Sequence, residues 1–180
     1  EMVQDMRGEG STKSIAAKAE FEKGWACLDK QRMDVAKTHF EKAVQQDSGF
    51  ALAHLGLSLT ASTYPEQREA INSAKKAAAE ASKMEQGLIK AMDLFLDNRL
   101  SEVQKELQTL KKKYPKVETF WYWSAIAHYI NREYEAAIQE FMQVLQIHPE
   151  YHAVYNNLGY AYRDMGDYEK AKQALIKYTE

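Results

Sequence analysis

Gly87, Trp121 and Tyr155 stand 34 residues apart, and each opens a stretch with helical apolar spacing. A fixed period of this length constrains the fold more than any composition value does. A unit of that size cannot bury its apolar face alone, so successive units stack and each covers its neighbour. Five copies span residues 17–180 of the 180-residue chain.

The copies share an order of residue types. The last carries Tyr155, Leu158, Gly159 and Tyr162, then Ala171 and Leu175; the one before it carries Trp121, Ser124, Ala125 and His128, then Ala137, Phe141 and Pro149. Upstream stand Gly87, Lys90, Ala91 and Leu94 with Val103, Leu107 and Pro115. Leu52, Leu55, Gly56 and Leu59 follow with Ala70, Ala74 and Ala77, and Gly24 and Cys27 with Ala36, Phe40, Ala43 and Ser48. Gly24, Gly56, Ala91, Ala125 and Gly159 mark the point on each first helix where a second helix crosses closely. The alanine and the large apolar residue four positions later form the answering stripe. Asn98, Asn131 and Gly166 suit a left-handed turn, and Pro115 and Pro149 end their helices. The second copy breaks step: Leu52 to Ala70 spans 18 residues against 16 for Trp121 to Ala137, which implies a turn two residues longer. Thr63 and Glu66 form a candidate capping box there with Pro65 in the first turn, and alanines 70, 74 and 77 form a thin packing stripe.

This order resembles the tetratricopeptide repeat, W-x2-L-G-x2-Y followed by A-x3-F and P. The resemblance implies an all-α, right-handed superhelix (α-solenoid) of about five helix-turn-helix repeats at residues 17–48, 49–83, 84–117, 118–151 and 152–180. Residues 1–16 are expected to be a flexible leader or partial helix. HFEKAVQQDSGFALAHLGLS, SKMEQGLIKAM and LKKKYPK are also similar to segments of bacterial tetratricopeptide repeat proteins, many of them exported. The expected compartment is open between the cytoplasm and, with an upstream signal removed, the bacterial periplasm or cell envelope.

The same resemblance implies a concave groove lined by first-helix side chains. These are Phe21, Trp25 and Leu28, then His54 and Leu57, then Met92, Phe95 and Leu96. The fourth copy adds Tyr122, Trp123, Ile126 and Tyr129, and the fifth Asn156, Asn157, Tyr160 and Arg163. The groove is apolar and aromatic in four copies and polar in the last. It suits an apolar or amphipathic peptide or partner helix, with Asn156, Asn157 and Arg163 orienting a polar end. Burial of the same aromatics against a neighbouring repeat, or filling of the groove by the chain's own first residues, is the competing reading. Members of the family that clamp the carboxylate tail of heat-shock chaperones use lysine, asparagine and arginine, where this chain has Phe21, Trp25, Leu88, Met92, Tyr122 and Ile126; Asn157 alone matches. The alternative to peptide binding is a homodimer through the last repeat, whose final helix carries Leu175, Ile176 and Tyr178.

Other chemistries find little support. A net charge of −2 gives no bulk attraction to nucleic acid or membrane, and Lys111, Lys112, Lys113 and Lys116 read as a solvated helix end that the helix dipole favours. Cys27 is the lone cysteine and reads as an inert, buried thiol. Thr12 replaces the glycine that a phosphate loop would need before Lys13 in the Gly8–Ser14 segment. Pro149 separates His148 from His152, which disfavours a metal pair. No catalytic residues, cofactor or metal are expected, and no apolar stretch approaches the roughly 18 residues of a membrane span.

Overall fold

The computed structural model describes residues 11–179, and the chain divides into two compact units, Glu1–Arg99 and Leu100–Glu180. In the first unit run α1 (Ile15–Asp29), α2 (Met33–Gln46), α3 (Ala51–Thr60), α4 (Tyr64–Ala77), a 3-10 turn (Ala78–Glu80) and α5 (Lys83–Leu96). The second holds α6 (Leu100–Lys113), α7 (Glu118–Ile130), α8 (Tyr134–Ile147), α9 (His152–Asp164) and α10 (Tyr168–Thr179). The all-α expectation is met, with no strand among the described residues.

Four of the first helices end alike. Gln31, Asn98, Arg132 and Gly166 have φ of 56°, 56°, 62° and 83°, each two residues after its helix stops. The next amide reaches back five residues: Arg32 N–H to the Cys27 carbonyl, Arg99 to Leu94, Glu133 to His128 and Asp167 to Tyr162, each at 2.9 Å. These are Schellman turns, which satisfy carbonyls left open at the helix end. Asn98 and Gly166 occupy the left-handed positions expected of them, but in the fourth copy Arg132 does so and Asn131 stays right-handed at φ −73°.

The second copy departs for a reason its sequence contains. The residue 34 after Gln31 is Pro65, whose ring locks φ near −65° and forbids the left-handed turn. The turn therefore moves: α3 stops at Thr60, Ala61 is extended (φ −69°, ψ 142°), and α4 starts at Tyr64. Ser62 and Thr63 stand between them, so the turn is shifted toward the amino end rather than lengthened. Aligning Phe50, which precedes α3, with Tyr151, which precedes α9, puts Ser58 in the crossing slot in place of Gly56. Ser58 Oγ donates to the Gln67 carbonyl of α4 at 3.1 Å, whereas a Cβ on Gly56 would lie 2.6 Å from the Phe40 ring of α2. The slots are then Gly24, Ser58, Ala91, Ala125 and Gly159, spaced 34, 33, 34 and 34. The stripe on α4 shifts too, with Ile71 and Ala74, and Ala78 of the turn that follows, buried while Ala70 and Ala77 are half-buried. Thr63 accepts from Glu66 N–H at 3.4 Å, but the Glu66 carboxylate meets Ser62 N–H; the complete capping box is Ser82 with Glu85 at α5.

Close packing elsewhere follows the expected slots. A Cβ on Gly24 would stand 2.7 Å from Phe40, and one on Gly159 2.6 Å from Leu175. Phe21, Phe40 and Phe50 fill the first core, with Trp25 against Phe21 at 5.4 Å. Arg68 of α4 bridges Asp93 (2.8 Å) and Asp97 of α5, and Lys75 reaches Asp93 at 2.6 Å. Part of the expected leader is ordered: Ile15 and Ala16 open α1, Thr12 Oγ1 donates to Asp47 at 2.6 Å, and Ser11 N–H donates to Glu85 at 3.0 Å. Residues 1–10 and Glu180 lie outside the described residues, with both glycines of the Gly8–Ser14 segment.

Candidate functional site

The first-helix residues proposed for a groove divide by unit. Phe21, Trp25 and Met92 are 1%, 4% and 6% exposed and belong to the core, because α2 and the Phe50 loop close over the aromatic pair. Leu28, Phe95 and Leu96 are half-buried. His54 and Leu57 line a groove between α2, α3 and α4 with Lys37, Glu41, Glu66 and Glu69, a consequence of the shifted register in this copy.

In the second unit α7 and α9 present a connected face. Tyr122 stacks on Tyr151 (ring centroids 5.2 Å, planes 20° apart) and meets the edge of Trp123 at 5.4 Å. Its hydroxyl accepts from Asn157 Nδ2 at 3.1 Å. Two helical turns further, Tyr129 donates its hydroxyl to Asp164 Oδ2 at 2.6 Å and packs against Tyr134. Arg163 pairs with Asp164 at 2.7 Å, and its guanidinium lies 5.0 Å from the Tyr160 ring centre. Ile126 and Asn156 are half-buried beside them, and Tyr160 is 41% exposed. Rings are thus held edge-on or stacked by polar links at their tips, the arrangement that suits Tyr and Trp at a half-wet surface.

The electrostatics of this face are fixed across ordinary pH. Burial, then the Asp164 carboxylate, pushes the Tyr129 hydroxyl up to about 12, so it remains a donor. The Tyr129 hydrogen bond, then Arg163, holds the Asp164 carboxyl below its usual range, so it remains an acceptor.

Asp164 and Tyr151 were not among the expected residues. Both α7–α9 hydrogen bonds join residues 35 apart, one more than the period, so reading the chain at that offset pairs Tyr129 with Asp164. Tyr151 precedes α9 and lies outside any first-helix pattern. The basic run is also revised: Lys111 is 5% exposed, its ammonium bound to Glu140 and, at 2.8 Å, to Ser124 Oγ, while His128 faces Glu140 at 3.8 Å. Lys112, Lys113 and Lys116 are exposed as expected. Cys27 is half-buried; His148 ends α8 and contacts Tyr151, while His152 opens α9. Among the described residues no three His, Cys, Asp or Glu side chains converge for a metal, and no helix is long and apolar enough to cross a membrane.

Family models described as tetratricopeptide repeat match residues 17–49, 98–152 and 128–180. The chain is a tetratricopeptide repeat protein. Its fold is similar to that of the protein MamA, residue 41 to the end, from Desulfovibrio magneticus RS-1, at 13% identity and a TM-score of 0.55 over 93% of this chain and 96% of that one. It is also similar to YrrB, described as a tetratricopeptide repeat protein with an unusual peptide-binding site, at 17% identity and 0.51 over 93% and 86%. A second MamA structure matches at 20% identity and 0.54 over 91% and 90%. Tetratricopeptide repeat proteins are in general non-catalytic interaction modules, and membership supports the coarse role of a protein–protein interaction scaffold here.

Proposed function

We propose that the α7–α9 face of the second unit binds an apolar or amphipathic peptide or partner helix. The observation that carries this is the row of Tyr122, Trp123, Tyr129 and Tyr160, each partly solvent-accessible, with Tyr122, Tyr129 and Tyr160 set beside polar groups of α9 and Trp123 against Tyr122. Rings lay apolar area against a ligand at low entropic cost, while Asn156, Asn157 and Arg163 read its backbone or an acidic end. The description of YrrB as peptide-binding supports the same class of ligand. Amphipathic helical peptides titrated against the full chain should quench tryptophan fluorescence. Replacing Tyr122 and Trp123 together by Ala should weaken binding about tenfold or more; unchanged affinity in a folded double variant sinks the reading.

A second reading, self-association through the last hairpin, draws on Met165, Tyr168 and Ile176, which are 42%, 69% and 50% exposed. Leu175 does not belong to it, since its side chain fills the Gly159 slot. Ile176→Glu is the variant that separates a dimer from a peptide site.

A further inference from the structure

The same three-helix groove is built at successive levels, and its contents differ. Between α6, α7 and α8 it is filled from within: Lys111 crosses to Glu140 over the Trp121 ring, 4.9 Å from ammonium to ring centre, and Ser124 links it to Gln104 at 2.9 Å. Exactly one period later the corresponding residues are Leu145 for Lys111, Ala174 for Glu140, Tyr155 for Trp121, Leu158 for Ser124 and Tyr162 for His128. All five line an open groove of about 520 Å3 between α8, α9 and α10. Even the anchoring bond is repeated, Trp121 Nε1 to the Pro115 carbonyl at 3.0 Å and Tyr155 hydroxyl to the Pro149 carbonyl at 3.4 Å. Loss of the lysine stem and of the carboxylate has opened a pocket whose floor is Leu145, Leu158 and Ala174.

The rim says what fits. Lys170 and Lys177 line it, and no carboxylate does. Lys170 pairs with Asp167 at 2.9 Å and lies over the Tyr162 ring at 5.5 Å, which leaves its charge at the groove edge. In the α2–α3–α4 groove the residue corresponding to Lys170 is Glu69, and Glu41 and Glu66 stand near it. Lys37 is the one cation on that lining, so the α2–α3–α4 groove is mainly acidic where the α8–α9–α10 groove is basic.

We propose that the α8–α9–α10 groove is a second binding site, distinct from the α7–α9 face, for an acidic peptide segment that inserts one bulky apolar side chain. The inserted side chain takes the place that the Lys111 stem fills one repeat earlier, and flanking carboxylates meet Lys170 and Lys177. Met142, 46% exposed at the mouth, adapts its unbranched side chain to the guest.

The test uses the full chain and fluorescein-labelled heptapeptides Glu-Asp-Glu-X-Glu-Asp-Glu with X as Leu, Phe or Trp. Controls carry Asp at X, or Lys at every acidic position. Saturable anisotropy changes are expected for the apolar-centred acidic peptides, with about tenfold weaker binding for either control. The double variant Leu145→Lys, Ala174→Glu regrafts the Lys111–Glu140 pair and plugs the groove; Lys170→Glu, Lys177→Glu changes two exposed residues and reverses the rim. Each should weaken binding about tenfold or more, with helicity unchanged by circular dichroism. Tyr122→Ala should leave it unaltered, which separates this site from the α7–α9 face. Absence of saturable binding by all three apolar-centred peptides, or binding indifferent to both double variants, overturns the proposal. So does a concentration-dependent dimer abolished by the plug, which would assign the groove to a second copy of the chain.

Discussion

The two units build one ring cluster twice. Tyr122, Phe141 and Tyr151 stand 101 residues after Phe21, Phe40 and Phe50, on matching helices and the matching loop. Phe21 lies 5.8 Å from Phe40 and 5.0 Å from Phe50; Tyr122 lies 6.1 Å from Phe141 and 5.2 Å from Tyr151. Yet Phe21 is 1% exposed and Tyr122 half-buried. The first copy is a closed core of plain hydrocarbon rings. In the second, two hydroxyls need partners, and the cluster opens toward Asn157. Position in a repeat therefore fixes where a ring stands, and the groups that face it decide whether it becomes core or surface: Tyr151 keeps its hydroxyl and is still only 8% exposed.

The largest break in this comparison should come from Phe40→Ala. Phe40 is fully buried and wedged against both Gly24 and Gly56, two residues that have no side chain to collapse into the space. A loss of about 4 kcal/mol is expected, read as a lower denaturant midpoint. Phe141→Ala should cost less, about 3 kcal/mol, because half-buried Tyr122 can settle into the cavity. Equal losses would mean that the glycines do not set the difference.

A smaller effect isolates the hydroxyl. Tyr122→Phe removes the acceptor for Asn157 Nδ2 and leaves the stack on Tyr151 intact. About 1 kcal/mol of stability should be lost, while the far-ultraviolet spectrum stays unchanged. A stability gain would show that the hydroxyl is kept for a ligand and contributes nothing to folding.

Much of this was legible in the chain. Within each unit the period located the hairpins, α1–α2 and α3–α4 in the first and α7–α8 and α9–α10 in the second, because a crossing slot that admits only small side chains must recur wherever helices cross. Pro65 also carried its message, since it stands where other copies need a left-handed residue; the spacing from Leu52 concealed it by placing the slot at Gly56. The concealment has a physical source: Gly56 is small because Phe40 of the preceding hairpin occupies its space. What periodicity could not supply was depth. Phe21 and Tyr122 share a register position, and their different fates depend on which groups of the following helix face them. Lys111 was hidden similarly, because its carboxylate partner is 29 residues away on another helix.

The smallest expected effect concerns the charged edges of the two units. Beside the first cluster, Glu20 is bound by Lys23 at 2.7 Å and His39 at 2.8 Å, and these, the lysine foremost, lower its carboxyl from 4.5 to about 2. In the second unit, the Tyr129 hydroxyl is the main influence on Asp164. A depressed folded pKa contributes stability that is complete above the unfolded value and is lost as pH falls through the folded one. The Glu20 contribution is therefore intact above about pH 4.5 and gone near pH 2. Because the group is partly exposed and screened, it amounts to about 0.5 kcal/mol. Comparing denaturant midpoints at neutral pH and at about pH 2 should show Glu20→Gln less acid-sensitive than wild type by that amount. Tyr129→Phe should have the same sense in the second unit, because it removes the donor that favours ionised Asp164. An identical acid slope in wild type and Glu20→Gln would show that the Lys23 and His39 contacts do not hold in solution, leaving the ring cluster as the source of the first unit's stability.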